Sequence, residues 1–220
     1  MEEQTKTNKS YVIWVSVVVI VAIAAVVYFM MNGDKESDTN TNTVVTNTQI
    51  NDNTNIPATN TAVANIYVHD DFTIIPPEGW LESQIPGTLA SFFNTTEQHP
   101  EGSAAAKINF KSYLAVSFDT AGIGSTLDSI NSKVMQEVEI VASSSEEVSV
   151  NDEMLINDLP ARFNVLDLNM QEVDYRVLIV VVLDQDHQRY YTVTGNTTAE
   201  KWGEYEDAFL QSARSLTIKQ

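Results

Sequence analysis

From Tyr11 to Met31 the chain reads YVIWVSVVVIVAIAAVVYFMM, 21 residues with no charge and a single hydroxyl at Ser16. At about 1.5 Å of rise per residue, a helix of this length spans the hydrocarbon core of a bilayer. Tyr11, Trp14, Tyr28 and Phe29 lie near its two ends, where amphipathic rings favour the headgroup layer. A cleaved signal peptide is the competing reading, because Ala22-Ile23-Ala24 imitates a small-residue cleavage motif. Cutting there would leave Ala25 to Met31 as an apolar N-terminus, and the run is longer than a typical signal h-region. The expectation is therefore an uncleaved transmembrane helix over residues 11–31. Lys6 and Lys9 precede it, whereas Lys35 alone follows, among Asp34, Glu36 and Asp38. This asymmetry predicts residues 1–10 in the cytoplasm and the bulk of the chain outside the plasma membrane, a single-pass arrangement.

Residues 32–64 read as a linker. Between Thr39 and Thr61, 8 Thr and 7 Asn make up 15 of 23 residues, and Val44, Val45, Ile50 and Ile56 follow no helical or strand period. Such a composition buries too little apolar area to offset about 1–2 kcal/mol of backbone entropy per residue, so a disordered stalk is expected. Residues 65–220 then supply one domain with a sizeable core. From Asn65 onward, 9 Lys or Arg stand against 24 Asp or Glu, which places −15 of the formal −18 charge in this part. That balance disfavours nucleic acid and anionic lipid, both of which need neutralising cations. It suits long-range attraction of a basic protein partner. The absence of cysteine excludes disulfides, thiolate catalysis and Cys-bound zinc.

Within the domain, Phe72-Thr-Ile-Ile75 predicts a short strand stopped by Pro76-Pro77-Glu78-Gly79-Trp80, with Trp80 plugging a sheet edge. Ile108, Phe110, Leu114, Val116 and Phe118 alternate with polar residues, Ser112 excepted, as in a strand or bent pair with one buried face. Leu127, Ile130, Val134 and Val138 then form the stripe of an amphipathic helix with a Ser125/Asp128 capping box. Strands are expected over Glu147–Val150, Ala161–Met170, Tyr175–Leu183 and Gln188–Thr194. Val177–Leu183 is apolar without alternation, the pattern of a central strand covered on both faces. Asp184-Gln-Asp-His187 should turn it into a hairpin. A final helix starts at Thr197 or Thr198, capped with Glu200, and buries Trp202, Tyr205, Phe209, Ala213 and Leu216 opposite Glu200, Glu204 and Asp207. These elements predict an α+β domain, an antiparallel β-sheet packed against helices.

The chain resembles the PsbP-like family, which includes extrinsic photosystem subunits, Ran-binding Mog-type proteins and bacterial envelope proteins. The resemblance rests on Phe72-Thr-Ile-Ile-Pro-Pro-Glu-Gly-Trp80 as opening strand and turn, Leu159-Pro-Ala-Arg162 entering a strand, Tyr190-Tyr-Thr-Val-Thr-Gly195, and Ser212-Ala-Arg-Ser215 at the end of the last helix. It covers about Tyr67 to Ile218 and implies a non-catalytic binding or assembly module, with no active-site residue to carry over. The anchor and the Asn/Thr stalk depart from the photosystem members.

No spacing in the sequence assembles a catalytic, cofactor-binding or metal-ligating set. Gly122-Ile-Gly-Ser-Thr126 lacks the lysine and length of a phosphate loop and reads as a tight turn with a helix cap. His69-Asp70-Asp71 and Asp184-Gln-Asp-His187 hold metal-ligand types, but neighbours on a strand point to opposite faces, so solvated turn residues are expected unless the clusters meet. His99 lies in the polar stretch Glu97-Gln-His-Pro-Glu-Gly102, and no Gly-x-Ser-x-Gly nucleophile motif occurs. Asn94 and Asn196 match the glycan-acceptor pattern, with ordinary loop polarity as the plainer reading. The sequence thus points to a membrane-anchored extracytoplasmic binding module of the cell envelope rather than an enzyme. Its protein partner would be basic, and a small-ligand or divalent-cation domain is the alternative.

Overall fold

The computed structural model describes residues 65–219. The expected cytoplasmic segment 1–10, transmembrane helix 11–31 and linker 32–64 lie outside the described residues. Within them, no helix is long and apolar enough to cross a membrane.

Two antiparallel sheets form the domain. The small one has the order β1-β2-β10, with β1 at Tyr67–Val68, β2 at Phe72–Ile74 and β10 at Thr217–Ile218. The main one has seven strands in the order β3-β4-β5-β9-β8-β7-β6. These are β3 Leu81–Glu82, β4 Ala90–Phe93, β5 Tyr113–Thr120, β6 Ser144–Ile156, β7 Leu159–Met170, β8 Val173–Asp184 and β9 Arg189–Thr198. Among the described residues three α-helices complete the fold: α1 Ala104–Lys107, α2 Leu127–Val141 and α3 Trp202–Arg214. The α+β expectation is met, with helices packed on both faces of the main sheet.

The apolar run in β8 follows from this layering. Val177, Ile179, Val181 and Leu183 face one core, where Ile130, Val134 and Val138 of α2 cover them. Leu178, Val180 and Val182 face the other, under Phe209 and Ala213 of α3 and Phe72 and Ile74 of β2. Strands β6 to β9 are successive hairpins. Asn157-Asp158 and Gln171-Glu172, all at positive φ, form two of the connections. That conformation matches the twist of paired strands and is usually supplied by Asn, Asp or Gly, so the Gln171-Glu172 turn carries little sequence signal.

Several local details differ from the expectations. Ile108 and Phe110 precede β5; Ile108 caps α1, and the apparent alternation joins a helix end to a strand. Tyr113 and Ala115 are buried as fully as Leu114 and Val116, so β5 has two buried faces. Trp80, next to the edge strand β3, packs edge-to-face on Tyr205 and Phe209 of α3, at 5.6 and 5.7 Å between ring centroids. The α2 capping box is made by Thr126 and Ser129. Thr197 and Thr198 still pair with Arg176 and Tyr175 in the sheet ladder, so α3 begins only at Trp202, after a 3-10 turn over Ala199–Lys201.

Candidate functional site

Gly122–Thr126 is a turn and cap, as the sequence suggested. Gly124 has φ +78°, and the Ser125 N–H donates to the Gly122 carbonyl at 3.0 Å.

The two His–Asp clusters do meet, at the junction of the small and main sheets. Arg189, at the start of β9, reaches Asp71 Oδ1 through Nη1 and Asp184 Oδ2 through Nε, each at 3.3 Å. His187 Nδ1 lies 2.8 Å from Asp184 Oδ2, and His69 Nδ1 accepts the Asp71 N–H at 3.1 Å. The guanidinium thus supplies the positive charge between two carboxylates, one of them buried. Among the described residues, no group of three or more His, Asp or Glu is placed to hold a metal ion. The constellation works as a clasp between sheets.

A second polar cluster was not legible in the sequence. Glu97, in the loop between β4 and α1, is only 3% exposed. Its Oε2 accepts the Ser112 N–H, its Oε1 accepts the Ser112 hydroxyl at 2.9 Å, and Lys201 Nζ lies 3.7 Å from Oε1. The Ser112 hydroxyl is also 2.7 Å from that of Thr197. His99 Nε2 sits 3.0 Å from the Phe110 carbonyl, which can only accept, so this nitrogen carries the proton. A carboxylate, a serine, a histidine and a lysine are the ingredients of acyl-transfer chemistry, but Ser112 is fully buried in the folded domain. The bonds instead pin the Glu97 loop to β5 and to the turn before α3. The one sequence trace was Ser112 itself, a polar residue at an apolar position of the Ile108–Phe118 pattern.

Glu137 of α2 is buried against the main sheet, its Oε1 3.9 Å from Lys133 and without a hydrogen bond. Lys133 also approaches Asp119 of β5 at 3.4 Å, and the Tyr190 hydroxyl of β9 donates to Asp119 at 3.3 Å. Burial raises the Glu137 pKa, opposed by the Lys133 charge and reinforced by Asp119. Below its ordinary pKa the carboxyl is neutral in both folded and unfolded chains. The stability contributed by the protonated form is lost as pH rises through the raised folded value. Glu137→Gln is therefore expected to stabilise the domain by about 1 kcal/mol at pH 7 and by nothing below about pH 4. Thermal melts at the two pH values check this, and an equal effect at both would refute it.

Asn196 is buried in β9, its Nδ2 donating to the Tyr113 hydroxyl at 3.1 Å, so it is neither a loop residue nor open to a glycan in the folded domain. Asn94 is half-buried and donates to the Tyr205 hydroxyl at 2.9 Å.

No family model matches the sequence, and no curated protein is similar to it. Solved structures are. The cyanobacterial PsbP (CyanoP) of Synechocystis sp. PCC 6803 superposes with a TM-score of 0.53 at 14% identity, over 74% of this chain and 97% of CyanoP. The domain has the PsbP-like fold. LpqN of Mycobacterium tuberculosis, involved in cell envelope biogenesis, superposes with a TM-score of 0.51 at 11% identity, over 68% of this chain and 83% of LpqN. The Ran-binding Mog1p of Saccharomyces cerevisiae gives 0.48 at 10% identity, over 67% of this chain and 90% of its own. The residues that suggested the PsbP-like fold have structural duties: the Ser215 hydroxyl accepts the Ile75 N–H at 2.8 Å, tying the end of α3 to the opening strand.

Proposed function

We propose that residues 65–220 form a non-catalytic binding module of the cell envelope, carried outside the membrane by the helix at 11–31 and spaced from it by residues 32–64. The observation that carries this reading is how the domain divides its charged groups. Glu97 and Asp184, buried, and Asp71, half-buried, join parts of the scaffold to one another. Glu200, Glu204, Glu206 and Asp207 are exposed around α3, and the excess of acids is −15. Exposed acids of one sign speed encounter with a basic partner. The PsbP-like fold shared with LpqN supports an envelope role, and the uncharged run Tyr11–Met31 supports anchoring.

Crosslinking in intact membranes followed by affinity capture tests this, with residues 1–64 alone as control. A partner captured only when the domain is present is the expected result, and identical captures would overturn the reading. A divalent-cation domain is the second reading, although Arg189 already neutralises Asp71 and Asp184 where the two clusters meet. Saturable Zn²⁺ or Mn²⁺ binding by the full chain in calorimetry, lost in Asp184→Asn, would support it.

A further inference from the structure

The main sheet ends unequally. On one side its edge is β3, of 2 residues; on the other it is β6, of 13, which among the described residues pairs only with β7. Ser144 to Val150 are exposed at every position, while Leu166 and Leu168 opposite them in β7 are buried beneath α2. The free side of β6 presents main-chain N–H and C=O groups to solvent, which is the template for an added strand. Val148, Val150 and Leu155 on it are 46, 39 and 67% exposed. The strand carries Glu146, Glu147, Asp152 and Glu153 and no Lys or Arg.

We propose that β6 receives an extended, Lys- or Arg-rich segment of a partner protein as an eighth strand of the main sheet. Main-chain hydrogen bonds supply affinity along the edge, the exposed valines meet apolar side chains, and Glu146 and Glu147 pair with the incoming cations. The same charges decide against a second copy of this chain, because an added copy of β6 would set carboxylates beside carboxylates. The register shifts after Glu147 and Asn151 also discourage unselective pairing. Acids that repel a copy and attract a basic strand give selectivity through one set of residues. The inference rests on the binding-module reading and names its surface and partner class.

The full chain in phosphatidylcholine nanodiscs, which carry no net charge to compete, is titrated with a short synthetic peptide alternating Lys and Val. The same peptide with Glu for Lys serves as control. The Lys–Val peptide is expected to bind saturably, to weaken as salt rises, and to slow amide exchange at Ser144 to Val150. Glu146→Lys with Glu147→Lys, both at exposed positions, should weaken it about tenfold or more, with exchange in β8 unchanged as evidence of an intact fold. Absence of saturable binding, protection elsewhere, equal binding of the Glu peptide or unchanged affinity in the charge-reversed chain would each overturn the assignment. A membrane partner captured equally by the unaltered and charge-reversed chains would also overturn it while leaving the binding-module reading standing. Capture of nothing specific to the domain would instead remove that reading.

Discussion

Replacing Gly195 with alanine is expected to destabilise the domain by about 3 kcal/mol, at the upper end of what overpacking a core costs. Gly195 lies inside β9, opposite Leu114 of β5 and Leu178 of β8. A Cβ there would stand 2.5 Å from Cγ and 2.6 Å from Cδ1 of Phe209, well inside van der Waals contact. The ring has no room to withdraw: it is fully buried and ringed by Trp80, Trp202 and Tyr205 at 5.7, 6.1 and 6.1 Å between centroids. Space, not conformation, demands glycine here, because α3 lays its central aromatic directly on the strand. Urea unfolding of Gly195→Ala, Phe209→Ala and the double variant separates these causes. The double variant should be less destabilised than the sum of the singles, since alanine at 209 lacks the Cγ and ring atoms that make the clash. Strict additivity, or a loss under about 1 kcal/mol for Gly195→Ala, would mean that α3 shifts freely on the sheet.

Glu97→Ala should cost a comparable 3–5 kcal/mol, the usual result of removing one member of a buried charged network. The substitution strands the Ser112 N–H, leaves the Ser112 hydroxyl with Thr197 alone, and leaves Lys201 with Glu204 at 4.0 Å. Glu97→Gln keeps an acceptor for Ser112 and should lose less, while Ser112→Ala, which removes one hydroxyl donor, should lose about 1 kcal/mol. Denaturant midpoints rank the three variants. If Glu97→Ala and Ser112→Ala cost the same, Lys201 contributes nothing and the carboxylate merely accepts from Ser112.

What could be read from the residues in advance follows the range of the interactions. The unbroken run Val177–Leu183 and the stripe Leu127, Ile130, Val134 and Val138 announce their burial, because each pattern has the period of its own element. The Asp184–His187 turn carries ordinary turn residues. By contrast β1, β3 and β10 are two residues long and have no period to detect. The helix does not start at Thr197 or Thr198 because a cap and a sheet ladder compete for the same backbone groups, and pairing with Arg176 and Tyr175 wins. Glu97 sits in a stretch of polar residues, and its partners Ser112 and Lys201 come from two distant parts of the chain. The meeting of Asp71 with Asp184 through Arg189 likewise depends on how the small sheet docks, which no local pattern encodes.

The joining of β2 to β10 sets an order on the making of the protein. Strands β6 to β9 follow one another as hairpins and can close as they are synthesised, because their contacts are local. Phe72 and Ile74 cannot be covered in this way: β2 needs β10 as its neighbour, and the Ile75 bond to Ser215 spans 140 residues. A chain interrupted on the ribosome before α3 therefore displays Phe72, Ile74 and the β8 face of Leu178, Val180 and Val182, all hidden in the finished chain, as apolar surface for chaperones and proteases to recognise.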